Sequence, residues 1–219
     1  MNFNYQNARN IMVENQLRPN KIKDPKILDI FKNIPKEKFI PNEISELSYS
    51  DSDIHLGNNR GYLKNLHIAQ LIKFADIQKN HKILHIGALT GYVSVLLSNL
   101  CAKVCVIESD IIHLNTLKKN IEISKVTNIA ITTGSFKDGS VNETSFDRIL
   151  IDNPIFDVNS NILSQLSNNL GKIIFIKREN NHFGKAIKIT NNNENFSSEY
   201  LFDVFSKFKL YEEDRGFVF

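Results

Sequence analysis

Apolar positions follow two different periods along the chain, and the change between them locates the fold. Over roughly the first fifty residues the spacing is helical: Ala8, Ile11, Met12, Asn15-Gln16 and Leu17 keep one period. Asp24-Pro25 then reads as an N-cap followed by proline at the first helical position, opening a second helix through Ile27, Leu28, Ile30 and Phe31. Pro35 and Pro41 end and redirect that leader, and a further helix is predicted from about Leu66 to Ala75. Beyond it the apolar residues come in short, near-continuous runs. Strands are predicted near 82–87, 103–107, 128–133, 146–151 and 172–177, with helices near 92–99, 111–123 and 159–168 between them. Continuous apolar runs are what a parallel sheet covered on both faces requires. The tail changes character: 184–190, 198–205 and 214–219 read as strands, the last two with no helix between them, which predicts an antiparallel edge. The expected architecture is α/β, a Rossmann-like and mostly parallel sheet with an antiparallel C-terminal edge and an N-terminal helical region. Residues 1–65 form the leader and substrate-loop region and 66–219 the sheet domain, together one compact unit.

One stretch in this alternation carries chemistry. Ile83-Leu-His-Ile-Gly-Ala-Leu-Thr-Gly-Tyr92 reads as a buried strand, a glycine-bracketed turn and the start of a helix. The next apolar run, Val104-Cys-Val-Ile107, stops at Glu108, which lies 108 − 87 = 21 positions after Gly87. A nucleoside cofactor is cradled in this order: a backbone turn approaches one end of the ligand, and an acid roughly 20 residues on accepts hydrogen bonds from the ribose. A dinucleotide fingerprint needs a third glycine where Tyr92 stands. Gly87 and Gly91 fit instead the G-x-G-x-G turn of S-adenosyl-L-methionine (SAM) enzymes, with Leu89 in the middle glycine's place. An ordinary βαβ unit with a glycine turn is the plainer alternative.

Charge and composition narrow the partners. A net charge of +3 over 219 residues, with no basic run, gives no footprint for nucleic acid or a membrane surface. The N-terminus lacks a basic-then-apolar leader and no apolar run reaches 18 residues, so a cytoplasmic location is expected. Cys101 and Cys105 flank the second strand; four positions apart on a strand they would share a face about 13 Å apart, beyond disulfide reach. No Cys-x-x-Cys occurs, so no metal is expected. Acyl-enzyme and phosphoryl chemistry lack their G-x-S-x-G and G-x-x-x-x-G-K-[ST] signatures.

Segments outside the glycine turn carry a resemblance. Ala8-Arg9-Asn-Ile-Met12-Val13-Glu14-Asn-Gln16-Leu17-Arg18 resembles the opening helix of protein-L-isoaspartate O-methyltransferases. Pro35-Lys-Glu37-Lys-Phe39-Ile-Pro41 is similar to their VPRExFVP element, Ser48-Tyr49-Ser-Asp51 to AYxD, and Ile83–Tyr92 to VLEIGTGTGY. The ending, Tyr200-Leu-Phe-Asp203 through Gly216-Phe217-Val-Phe219, looks like the α-proteobacterial branch. The resemblance implies a cytoplasmic, monomeric repair enzyme with SAM as cofactor. Its substrates would be isoaspartyl-containing proteins or peptides, whose side carboxylate is methylated so that the ester collapses to a succinimide. The nucleophile is already ionised at neutral pH, so no general base is needed. Such an enzyme supplies proximity, alignment and exclusion of water.

The same resemblance assigns the site. His85, Gly87, Ala88, Gly91, Glu108, Ser135, Phe136 and Asp152 stand at its cofactor-binding positions, His85 in place of an acid and Ser135 in place of an aspartate. The family's GxxxTISxP substrate loop corresponds to Gly57–Asn65, with Leu63 in place of the serine; Arg60 and Lys64 are the nearby side chains that could take a carboxylate. Leu89 is expected to intrude where backbone must approach the cofactor. Two other readings fit these departures. One is a non-catalytic homologue acting as a binding or scaffold protein. The other is a different SAM-dependent methyltransferase using Asn153-Pro154, in a segment that resembles the N-P-P-[YF] motif of amino-methyltransferases.

Overall fold

A computed structural model describes residues 3–211. The leader begins with α1 (Tyr5–Met12), capped by the Asn4 side chain accepting from the Asn7 N–H and prolonged by a wider turn over Val13–Leu17. Asp24 caps α2 (Pro25–Asn33) through the Lys26 N–H, with proline at the first position as the sequence predicts. A hairpin of β1 (Ile54–Gly57) and β2 (Arg60–Tyr62) follows, then α3 (Asn65–Ala75). The sheet unit runs through β3 (Lys82–Ile86), α4 (Tyr92–Ser98), β4 (Lys103–Ile107), α5 (Ile111–Ser124) and β5 (Ile129–Ile131). After the short ladder β6 (Gly134–Ser135) and β7 (Gly139–Ser140) come β8 (Arg148–Ile155), α6 (Ser160–Leu163), β9 (Asn169–Arg178), β10 (Gly184–Asn192) and β11 (Asn195–Val204).

Among the described residues, seven strands form one sheet in the order β11-β10-β9-β8-β3-β4-β5. β9, β8, β3, β4 and β5 are parallel, whereas β10 runs antiparallel to both β9 and β11. Chain order moves outward from β3 through β4 to β5 and then returns to β3's other side with β8. That reversal is the topological switch point at which open α/β sheets bind ligands, outside the carboxyl ends of the strands.

Alternation along the strands divides the core in two. Ile83, Val104, Val106, Leu150 and Ile174 face α3, α4 and the leader, and pack in one continuous cluster with Met12, Leu17, Leu28, Phe31 and Phe39. Leu84, Ile86, Cys105, Ile107, Ile149, Ile151 and Phe175 point the other way, toward Phe146, Ile162 and Leu210. The leader thus shares its core with the sheet.

Three expectations need correction, and one is met. The helix expected over 159–168 is a single turn, because Gln165 spends its amide on Asp138 and Asn161 carbonyls and on the Ser140 N–H, and the chain then bridges to Phe146. The expected antiparallel edge is present: β10 and β11 cover the predicted strands 184–190 and 198–205, and the predicted strand 214–219 lies outside the described residues. Gly57–Tyr62, read as part of a substrate loop, forms a hairpin. Cys101 precedes β4, so the two cysteines do not share a strand face, although both are buried free thiols. No helix among the described residues is long and apolar enough to cross a membrane.

Candidate functional site

The carboxyl ends of β3, β4 and β8 converge on the turn Gly87–Gly91. Gly87 (φ 82°) and Gly91 (φ 99°) lie in the left-handed region, and the Gly87 N–H donates to the Ile107 carbonyl at 2.9 Å. Leu89 also has positive φ, 55°, which glycine adopts freely and a branched side chain does not. Its side chain, wholly buried, joins the core cluster on the leader's side. The expected intrusion of Leu89 is therefore not what is found: the side chain turns inward, and its N–H donates to Glu108 Oε2 at 2.7 Å.

Glu108 is where the sequence places it, ending β4 and aimed at the turn, but its oxygens are committed within the chain. Arg60 Nη1 donates to Oε1 at 2.7 Å and Nη2 to Oε2 at 2.8 Å, a bidentate fork. Oε1 also accepts from the Asp110 N–H at 2.9 Å, and Oε2 from Leu89. Four donors fill the roughly four lone-pair sites of one carboxylate. The pair is shut away from water, with side-chain exposures of 3% and 0%. Arg60, at the start of β2, also lays its guanidinium carbon 4.7 Å from the centre of the Phe136 ring. A second link from the same hairpin runs from Asn58 Nδ2 to Asp110 Oδ2, 2.7 Å.

The C-terminal segment closes the rest. From the end of β11 onward, residues 204, 206, 208 and 210 are buried, while 203, 205 and 207 are exposed and 209 is half-buried. The Lys209 N–H donates to the Asn59 carbonyl at 3.0 Å and the Leu210 N–H to the Pro154 carbonyl at 2.9 Å. Phe208 packs edge-on against the His55 ring. Leu210 Cδ1 lies where a Cβ on Gly87 would be, and Arg60 Nη2 is 3.4 Å from that same point. Only the absence of a side chain at Gly87 lets them in.

The remaining predicted residues fall near this crevice and make contacts within the chain. His85 is fully buried, its Nδ1 2.8 Å from Ser94 Oγ and its Nε2 3.4 Å from Asp152 Oδ1. Ser135 holds Asp138 through its hydroxyl, and Ala88 is buried in the turn. Asn153 and Pro154 lie within β8, not on a turn: Asn153 Nδ2 donates to the Gly61 carbonyl at 3.2 Å, and the Pro154 carbonyl receives Leu210. Leu63 is buried in the core. Of the two cations expected near it, Arg60 has found a carboxylate in its own chain. Lys64 pairs with Asp51 at 3.3 Å and keeps part of its side chain in solvent.

Lys36 was not expected here at all. Wholly buried, it donates to Asn65 Oδ1 at 3.0 Å and sits 5.5 Å and 5.6 Å from the Tyr62 and Tyr92 ring centres. Burial pulls its ammonium down to about 7, against the opposing attraction of Asp53 and Asp152. The sequence signal was faint, since Lys36 and Lys38 inside Pro35–Pro41 both look like solvated lysines.

A glycine-turned switch point beside an acid-ended strand defines a nucleoside-binding α/β protein of the methyltransferase type. A sequence profile of the family described as protein-L-isoaspartate(D-aspartate) O-methyltransferase matches residues 7–205. The chain belongs to that family. It is 26% identical over 197 residues to a protein-L-isoaspartate O-methyltransferase of Dictyoglomus thermophilum, covering 90% of this chain and 88% of the relative. With the protein of the same name from Aliivibrio fischeri it shares 24% over 198 residues, 90% of this chain and 94% of the relative. A solved structure named protein-L-isoaspartate O-methyltransferase superposes with a TM-score of 0.77 at 18% identity. That match covers 92% of this chain but 65% of the longer one, and it speaks for the fold.

SAM is the cofactor this family implies, and the crevice as arranged does not fit it. The acid that would hold the ribose is saturated by four donors, and Leu210 and Arg60 occupy the space over Gly87 that the cofactor needs.

Proposed function

We propose that the chain is a SAM-dependent carboxyl O-methyltransferase acting on isoaspartyl residues of damaged proteins. The observation that carries this is the extent of the family match, residues 7–205, which takes in the leader and the hairpin as well as the cofactor fold. The Tyr200–Asp203 sequence supports placing the chain in the α-proteobacterial branch. In this reading residues 1–65 and 66–219 act as one compact unit, monomeric and cytoplasmic, without nucleic acid.

His85, Gly87, Ala88, Gly91, Glu108, Ser135, Phe136 and Asp152 border the cofactor crevice. Lys64, which keeps part of its side chain in solvent, is placed to orient a substrate carboxylate. It opens on a cavity of about 590 Å³ shared with Asp51, Asp53, His55 and His67. The carboxylate arrives ionised, so the chain's part is to bind and align it and to keep water out. The test is transfer from methyl-labelled SAM to an isoaspartyl peptide, with the aspartyl isomer as control. Label on the isoaspartyl peptide alone is expected. Label on neither, from protein shown to bind SAM, removes the assignment.

A further inference from the structure

We propose that Arg60 and the strap Ser206–Leu210 form an autoinhibitory latch: in the free protein they occupy the cofactor crevice, and SAM binds only when they leave. The inference rests on the proposed methyltransferase reading, and deepens it by giving the free chain a closed state.

Two independent contacts build the latch, one by Arg60 at Glu108 and one by Leu210 at Gly87. The guanidinium of Arg60 takes both oxygens of Glu108, the group that would face a ribose diol. The Phe136 ring lies against that guanidinium. Leu210 drops its side chain onto Gly87, and is 3% exposed there. Arg60 sits where a ribose would meet Glu108 and Leu210 sits over the glycine turn, so cofactor and latch are mutually exclusive.

The same contacts show how it can open. The strap is not in the sheet; its backbone is tied by the Ser206 N–H to the His182 carbonyl (3.1 Å), by Lys209 to Asn59 and by Leu210 to Pro154. Arg60 stands in a hairpin only four and three residues long. Three backbone bonds are few for this strap, so its opening costs chiefly the burial of Phe208 and Leu210. Opening frees a carboxylate and a glycine turn already in place on rigid strands, while the sheet stays as it is. A binding-competent state that is a minor fraction f of the free protein raises the apparent dissociation constant by 1/f.

The test compares the affinity of the full chain for SAM and for S-adenosyl-L-homocysteine, by calorimetry, with those of Arg60→Ala, Leu210→Ala and the double variant. Circular dichroism checks that each is folded. Either single change is expected to tighten binding at least tenfold, and the double variant more. Folded variants that bind no tighter than the unaltered chain, or more weakly, overturn the latch. Should Arg60→Ala not fold, Leu210→Ala, which leaves the ion pair intact, decides alone on the same criterion. Variants that bind cofactor tightly yet do not methylate an isoaspartyl peptide would uphold the latch and sink the repair reading, so the two failures are distinguishable.

Discussion

At the level of single residues, buried charge is the feature that sets this chain apart. Glu108 was legible because a spacing rule reaches it from Gly87. Its partner Arg60 was not, because it lies 48 positions away in sequence and is one of 27 basic residues that individually look solvated. No local period marks a pair whose partners are brought together only by the sheet and hairpin. Lys36 is hidden for the same reason, and it has a measurable consequence. Its ammonium is lowered to about 7 when folded and sits at 10.5 in its ordinary state. Between those values the unfolded chain holds a proton that the folded chain has released, so this group's contribution to stability rises with pH, by at most about 1.4 kcal/mol per unit. Below about pH 7 the cost of the buried charge is present in full. The buried thiols of Cys101 and Cys105, pushed up to about 12 and about 11, act in the opposite direction above pH 8.5 or so. Urea denaturation of the unaltered chain and of Lys36→Met across pH 7–9.5 cancels the thiols. The stability difference between the two proteins is expected to move in favour of the unaltered chain as pH rises. A difference that stays flat would contradict a depressed Lys36.

Among the elements, the strands and helices around β3 and β4 followed directly from apolar runs, caps and prolines. What the sequence hid were elements defined by tertiary pairing. The β1–β2 hairpin is too short to show a period, and its Gly61 is required because the Ile54 carbonyl and Phe208 ring leave no space for a side chain. The strap carried a usable signal: Val204, Ser206, Phe208 and Leu210 alternate with exposed Phe205 and Lys207, a period of two that continues beyond β11. Where the strap meets the turn, Gly87 is the point of closest approach. Gly87→Ala would put a Cβ against Leu210 in a left-handed backbone (φ 82°). Overpacking of this kind costs about 1–3 kcal/mol, and the conformation adds to it. Thermal or urea denaturation should show that loss, and pairing the change with Leu210→Ala should recover part of it. No recovery would mean that the strap does not rest on Gly87.

For the whole molecule, family and fold were readable from the glycine turn and the leader, and the match over residues 7–205 bears this out. The state of the cofactor crevice was not readable, because it depends on three segments distant in sequence: the hairpin, the end of β4 and the chain past β11. Leu89 looked like the obstacle to cofactor binding and Leu63 like the loss of a substrate contact, yet both side chains turn into the core. The obstruction comes from Arg60 and Leu210. The central claim is that the free protein keeps its own residues in the crevice, and hydrogen exchange addresses it directly. The Leu89 N–H donates to Glu108 and the Leu210 N–H to Pro154, so both should be protected in the free chain. Saturating S-adenosyl-L-homocysteine is expected to speed exchange at Leu210 while the β3 and β4 amides stay slow. Fast exchange at Leu210 in the free protein, or protection there unchanged when ligand is bound, would contradict the account.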